Sequence, residues 1–298
     1  MKASVPMKTM PPQLTALFEA IGEWRQRFRS PLLLFGAVIV CFSVLVALLG
    51  PFFAPYDPIA VDVTNRLQPP SFQHPMGTDE LGRDLFSRLL YGARISLGMG
   101  IMITTLGGSV GFVIGCISGF LGGVVDNIIM RLTDIVMSVP SLVLAMALTA
   151  ALGPSLTNAM LALAFVGMPS YVRLARGQAL SLSCKPYVQA AKAYGASPWA
   201  ILRGHIFPNA LPPILVVATL DVGAVILAAA ALSFLGLGAQ PPVAEWGAMV
   251  ASGRSYLATH WWYPVFPGLA ILVVAVGFNL IGDGLNDLLD PAGRARKS

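Results

Sequence analysis

Residues 30 to 56, 95 to 125 and 135 to 172 contain no Asp, Glu, Lys or Arg. A helix rises about 1.5 Å per residue and the hydrocarbon core of a bilayer is about 30 Å thick, so roughly 20 apolar residues make one crossing. Each run is long enough for at least one. The rest of the chain agrees: 56% of its 298 residues are hydrophobic and 11% are charged, against about 25% charged in ordinary soluble domains. The sequence therefore predicts an all-α integral membrane protein of about six transmembrane helices.

The first run predicts a helix from Pro31 to Phe53, ended by Pro55. The second predicts a helix from Ile95 to about Phe120, broken by Gly122-Gly123. The third run is too long for one span, and Gly153-Pro154-Ser155 divides it into a third and a fourth helix. A fifth is expected from about Pro213 to Leu235. The sixth spans about Tyr263 to Ile281, with Trp261, Trp262 and Tyr263 at an interface. The N-terminal 30 residues do not resemble a cleaved signal, because no small-residue cleavage site follows the apolar run. The expected organisation is a tail (1–30), the first span (31–53), an outer segment (54–94), a five-helix core (95–284) containing a loop at 176–212, and a second tail (285–298). Alternate connections carry fourteen and five Lys and Arg residues. The richer set holds both termini and the 176–212 loop, which places them in the cytoplasm.

Little in the chain suggests chemistry of its own. Cys41, Cys116 and Cys184 lie far apart and read as packing residues. His74, His205 and His260 fall in different loops, so no metal site is expected, and no arrangement of catalytic residues is credible. None of the five lysines follows a glycine, so a nucleotide-phosphate loop is absent. Asp221 is the one acid inside an expected span; it can face a path or hydrogen-bond a neighbouring helix. Gly223, Ala224 and Ala228 to Ala231 give the fifth helix a small face, suited to packing or to lining a path. Asp283, Asp287 and Asp290 read as solvating the end of the last helix.

The stretch YVQAAKAYGASPWAILRGHIFPNALPP, Tyr187 to Pro213, interrupts the hydrocarbon with three basic residues and no acid. Pro186 suits a first helical turn and Gly195 a left-handed end; Ser197 caps a second short helix, Pro198 starts it and Pro208 closes it. Ala190, Ala191 and Ala193 leave one side without bulk. A pair of interfacial helices lying on the bilayer is one reading. The order Gln189-Ala190-Ala191, Gly195, Ile206, Pro208 resembles the EAA loop of ABC-importer permeases, a coupling helix that docks into a groove of the ATPase. The resemblance implies that Tyr187, Gln189, Ala190, Ala191, Gly195, Ala196, Ser197, Ile206 and Pro208 form the ATPase-coupling site. The family's frequent Glu is Gln189 here, so docking would rest on shape and neutral hydrogen bonds.

Further segments, MGTDELGRDLFSRLLYGARISLGMG, DNIIMRLTDIVMSVPSLVLAMAL, ALSFLGLGAQPPVAEWGAMV and FPGLAILVVAVGFNLIGDGLNDLLDP, extend the likeness over about Leu33 to Pro291. They are similar to the second permease subunit of the dipeptide, oligopeptide and nickel importers. MALTAALGPSLTNAMLALA, YVRLARGQAL, YVQAAKAYGAS and AEWGAMVASGRSY are most similar to its D,D-dipeptide branch. This resemblance implies type I importer architecture in a bacterial inner membrane, with a sister permease, two cytoplasmic ATPases that hold ATP and Mg, an extracytoplasmic solute-binding protein and membrane lipid as partners, and no nucleic acid. No cofactor is expected on this chain. A nickel or other small-solute permease is the nearest alternative. An ion-coupled transporter is the rival of another class, and it predicts more intramembrane charge.

Outside the membrane, Thr78 to Tyr91 spaces Asp79, Glu80, Arg83, Asp84 and Arg88 among leucines, which predicts an amphipathic helix along the interface with a solvated charged face. The Gly236 to Trp262 loop, with Gln240, Glu245 and Trp246, is the candidate for binding-protein contact or for closing an outer mouth.

Overall fold

The structure is a computed structural model that describes residues 31–289. Its helices are α1 (Pro31–Phe53), α2 (Leu85–Leu121), α3 (Gly123–Met137), α4 (Ser141–Leu152), α5 (Leu156–Ser183), α6 (Pro186–Ala193), α7 (Pro198–Ile201), α8 (Phe207–Phe234), α9 (Trp246–Gly253) and α10 (Trp262–Leu289), with a π turn over Leu202–Ile206. No strand occurs among the described residues. The expected tails, 1–30 and most of 285–298, lie largely or wholly outside them.

α1, α2, α10 and α8 with its lead-in from Pro198 are long and apolar enough to cross a bilayer. α3 and α4 make a fifth crossing if they are taken together, although they are bent by 88° at their break. Against the six expected, α5 qualifies by length alone: 28 residues reach about 42 Å, but Asn158, Arg173 and Arg176 dilute it. The third segment departs from expectation because Pro140 lacks an N–H and forces Val139 out of helical backbone. α4 keeps only 12 residues, about 18 Å, so it needs α3 to complete a crossing.

α2 also starts ten residues before the expected Ile95. Asp84 sets that start: its Oδ2 accepts from the backbone N–H and the hydroxyl of Ser87, both at 2.7 Å. The amphipathic helix expected over Thr78–Tyr91 is therefore replaced by a tight loop leading into a span.

The closest packing is between α2 and α5. Gly107, Gly111, Gly115 and Gly119 face the carbonyls of Ala164, Met168, Val172 and Arg176 in turn. Four residues along one helix match four along the other, so the two run parallel at backbone contact. A Cβ at Gly107 would stand 2.8 Å from the Ala164 carbonyl oxygen, and one at Gly111 2.7 Å from that of Met168. This is the small-residue packing that lipid favours, since apolar side chains gain little by leaving hydrocarbon. α1 lies on α10 through small residues too, but antiparallel, with Gly36 against Leu280 and Gly284 against Leu33. Three buried clusters follow along the bundle. Leu85, Trp246, Trp262 and Tyr263 close the end with the long loops. Met99, Ile103, Leu163 and Leu232 fill the middle. Cys116, Tyr171, Val188, Ile201 and Ile206 close the end that carries α6.

Candidate functional site

The polar interruption forms a compact knob on one end of the bundle. Lys185, in extended backbone, precedes Pro186 at the first position of α6. Tyr194 closes that helix by donating its N–H to Ala190 O at 2.9 Å, and Gly195 follows at φ +77°. Ala196 N–H then reaches back to Ala191 O at 3.1 Å. Ser197 caps α7 by accepting from Ala200 N–H at 3.3 Å. Pro208 does not end the second short helix as expected. The π turn after α7 shifts the hydrogen-bond pattern, and Pro208 falls in the first turn of α8, where its missing N–H costs nothing. α7, the π turn and α8 are thus one continuous rod.

The underside of the knob is anchored. Val188 and Ile206 are fully buried and Ile201 nearly so, all packed with Tyr171, Ala175 and Ala179 of α5 and Cys116 of α2. Phe207 stacks near Phe112 at 5.6 Å, and Lys192 Nζ sits 5.0 Å over the Phe120 ring. The outer side is open: Tyr187, Gln189, Ala190, Ala196, Ser197 and Pro208 are exposed, while Ala191 is half-buried. Of the nine candidate coupling residues only Ile206 faces inward completely. Gln189 is already engaged, its Nε2 donating to Ser183 O at 2.6 Å.

Beside the knob, Arg176 forks onto Asp126 of α3 with two bonds of 2.6 Å, and Ser118 of α2 donates to the same carboxylate at 2.6 Å. Arg173 reaches Asp134 at 2.6 Å. These two clasps fix α3 across α5. Sequence reasoning counts both arginines only as topology signals, yet Asp126 and Asp134, standing between uncharged runs, are the cue to their partners.

Asp221 lies midway along α8, half-buried, and faces the buried Tyr171 hydroxyl of α5, which is not seated in a hydrogen bond of ordinary geometry. Thr104 of α2, buried and, among the described residues, likewise without a partner for its hydroxyl, lines a cavity of about 210 Å³ with Thr105, Ser109, Leu211, Ile214 and Ala218. Gly223 is buried against α10, where a Cβ would stand 2.9 Å from Ala275 O, so helix packing describes it.

At the opposite end two expectations are overturned. Glu245 and Trp246 are buried, not presented to a partner. Glu245 caps α9 through Gly247 and Ala248 N–H, each 2.8 Å away, and accepts from the Ser96 hydroxyl at 3.3 Å. Trp246 donates from Nε1 to Leu89 O at 3.0 Å. Only Gln240 is exposed, its amide turned onto Gly236 O and Gly238 O. The charged face of the outer segment is also interior. Asp79, Arg83, Asp84 and Arg88 are buried; Arg83 donates to Asp79 at 2.6 Å, as its spacing suggests, but Arg88 Nε lies 3.6 Å from Asp79 rather than pairing with Asp84. Asp84 instead meets His74 Nδ1 at 2.9 Å, and Tyr263 donates to Glu80. Charges this deep survive because each carboxylate finds several donors. Among the described residues no His, Cys, Asp and Glu gather as a metal site. Asp283 and Asp287 are exposed on the last turns of α10, and Asp290 lies outside the described residues.

Residues 111–294 match the family described as binding-protein-dependent transport system inner membrane component, and residues 23–70 match the N-terminal transmembrane domain of oligopeptide transport permease C. A probable D,D-dipeptide transport system permease protein of Escherichia coli K12 is 57% identical, covering 90% of this chain and 90% of its own. A dipeptide transport system permease protein of Alkalihalophilus pseudofirmus is 43% identical over 92% and 91%. An inward-facing methionine ABC transporter structure aligns with TM-score 0.54 over 68% of this chain and 96% of the matched one; at 19% identity it speaks for the fold alone.

Proposed function

We propose, from the premise that this chain belongs to the family of binding-protein-dependent transport system inner membrane components, that it forms half of a translocation path for di- and oligopeptides in a bacterial inner membrane. It is a permease subunit of an ATP-binding-cassette importer, and D-alanyl-D-alanine-type dipeptides are the first substrates to try, given the 57% identity to a probable D,D-dipeptide permease. A sister permease supplies the other half, two cytoplasmic ATPases hold ATP and Mg, and a periplasmic binding protein delivers the peptide. This chain performs no chemistry. Both termini and the knob face the cytoplasm.

The observation that carries the mechanism is the seating of the knob. Its underside is locked to α2 and α5 while its continuation is α8. A displacement imposed on α6 and α7 by closing ATPases therefore moves three long helices together, because packed cores shift as units. Asp221 and Thr104 lie on helices moved in this way and are the candidate path-facing polar groups. Gln240 remains a candidate contact for the binding protein.

The test is to tag the chain, extract it from native membranes in mild detergent and identify what co-purifies, then to reconstitute the assembly and follow peptide uptake. Recovery of a second permease and ATPases, with ATP-dependent uptake of dipeptide, is the expected result. The chain recovered alone and driving uptake without ATP would overturn it.

A further inference from the structure

We propose that Thr104 is the floor of a peptide subsite in the middle of the membrane. Its hydroxyl donates to a backbone carbonyl of the dipeptide in transit, and the cavity around it takes an alanine-sized side chain; this rests on the importer reading above. Hydroxyls inside these helices generally settle on the carbonyl one turn back: Ser43 on Ile39, Thr133 on Ile129, Thr149 on Ala145 and Thr219 on Leu215, each at 2.8 Å. Thr104 makes no such bond. It is only 5% exposed, and its hydroxyl meets no partner among the described residues. A buried hydroxyl without an acceptor is costly, and the cavity that Thr104 lines is where an acceptor can be brought to it.

The cavity lies between α2 and α8 and measures about 210 Å³. Pockets that enclose drug-sized ligands run from ~300 to ~1,000 Å³, so this one suits a single residue of a short peptide. Thr104, Gly108 and Ile214 are buried at its base, while Thr105, Ser109 and Leu211 are exposed at its rim. Ile214, Ala218 and Asp221 recur at helical spacing, so the Asp221 carboxylate stands one turn beyond the cavity on the same stripe of α8. Thr104 is midway along α2 and Asp221 midway along α8, a depth at which lipid tails offer neither an acceptor nor a counter-charge. A dipeptide offers both. Its ammonium carries donors for the carboxylate, its carbonyl accepts from the threonine, and a methyl side chain meets the apolar wall of Leu211, Ile214 and Ala218.

The experiment uses the reconstituted assembly of permease pair, ATPases and binding protein, with D-alanyl-D-alanine as the probe. Thr104→Val keeps the shape and removes the hydroxyl. It is expected to lower uptake at limiting peptide about threefold to tenfold, with a thermal half-life in detergent that is unchanged or longer, because the group removed had no partner. Thr104→Ser keeps the donor and should stay within about twofold of wild type. Ala218→Leu fills the cavity from α8 and should lower uptake about tenfold or more. A helix of the sister permease is the other possible occupant. To separate the two, Thr105→Cys is placed in a chain whose Cys41, Cys116 and Cys184 are replaced by alanine, and its alkylation by a small water-soluble maleimide is timed. Alkylation in the resting assembly that slows when peptide, binding protein and ATP are added is the expected result. A thiol that is never alkylated places a neighbouring helix over the cavity and overturns the site. So does a Thr104→Val variant that loses uptake and heat resistance together. Wild-type uptake in Thr104→Val removes this site and leaves the importer reading standing, whereas a wild-type assembly that takes up no dipeptide with ATP defeats both.

Discussion

Replacing Gly111 with Ala tests the parallel seam between α2 and α5. The added Cβ would lie 2.7 Å from both Met168 O and Tyr171 Cβ. Ordinary contact begins near 3.4 Å, so the helices must separate by about 0.7 Å. A gap of ~0.5–1 Å forfeits a quarter to a half of each dispersion contact, and about 40 atom pairs at ~0.1–0.2 kcal/mol line such a seam, giving a loss of about 1–4 kcal/mol. Gly98 on the same helix is the control, because a Cβ there meets nothing within 4 Å. Gly98→Ala should be neutral or stabilising by about 0.5–1 kcal/mol, as Ala loses less backbone entropy in a helix. The two variants make the same chemical change and are expected to move stability in opposite directions. Unfolding of the full chain in mixed micelles of rising SDS content, followed by tryptophan fluorescence, reads the difference. Equal stability of Gly111→Ala and Gly98→Ala would refute backbone contact between α2 and α5.

Gly195→Val should abolish peptide-stimulated ATP hydrolysis and uptake, because a β-branched residue at φ +77° is strained by about 1–2 kcal/mol or more while no neighbour crowds the Cβ. Gly195→Asn should retain part of both activities, and full transport by the Val variant removes the lever role. Glu245→Ala should shorten the thermal half-life of the chain in detergent, since it removes the acceptors of two backbone N–H groups at α9, worth about 1–2 kcal/mol; unchanged heat resistance contradicts the cap. Asp221→Asn keeps an acceptor for Tyr171 but loses the charge. If Asp221 contacts the peptide ammonium, uptake falls sharply in Asp221→Asn and not in Tyr171→Phe; a loss in Tyr171→Phe with uptake kept in Asp221→Asn points instead to a contact between α5 and α8.

The elements read correctly from the sequence are those set by neighbours along the chain. The spans follow from local hydrocarbon length, and the knob from Pro186, Gly195, Ser197 and Pro198, each acting within one turn. Gly107, Gly111, Gly115 and Gly119 are visible at their spacing of four, but the helix they admit is not, because packing partners are chosen in three dimensions. Apart from the break at Pro140 and the place of Pro208, which are local, the errors fall where a polar group is decided by a distant partner. Asp79 and Arg83 have the spacing of a solvated pair, yet Tyr263, 183 positions from Glu80, covers them by bonding that neighbour. Glu245 sits after Pro241-Pro242 in what reads as an open loop, and it is Ser96, 149 positions earlier, that receives its carboxylate inside the bundle. Periodicity cannot separate these cases, since a charged side chain on a helix face and one sealed by a later segment have the same local sequence. The cost of burying a charge makes the difference physical: a segment carrying one must bring donors with it or remain exposed. Lys185, Lys192 and Arg203 form no ion pair among the described residues, and it is exposure to water that lets them stay charged without one.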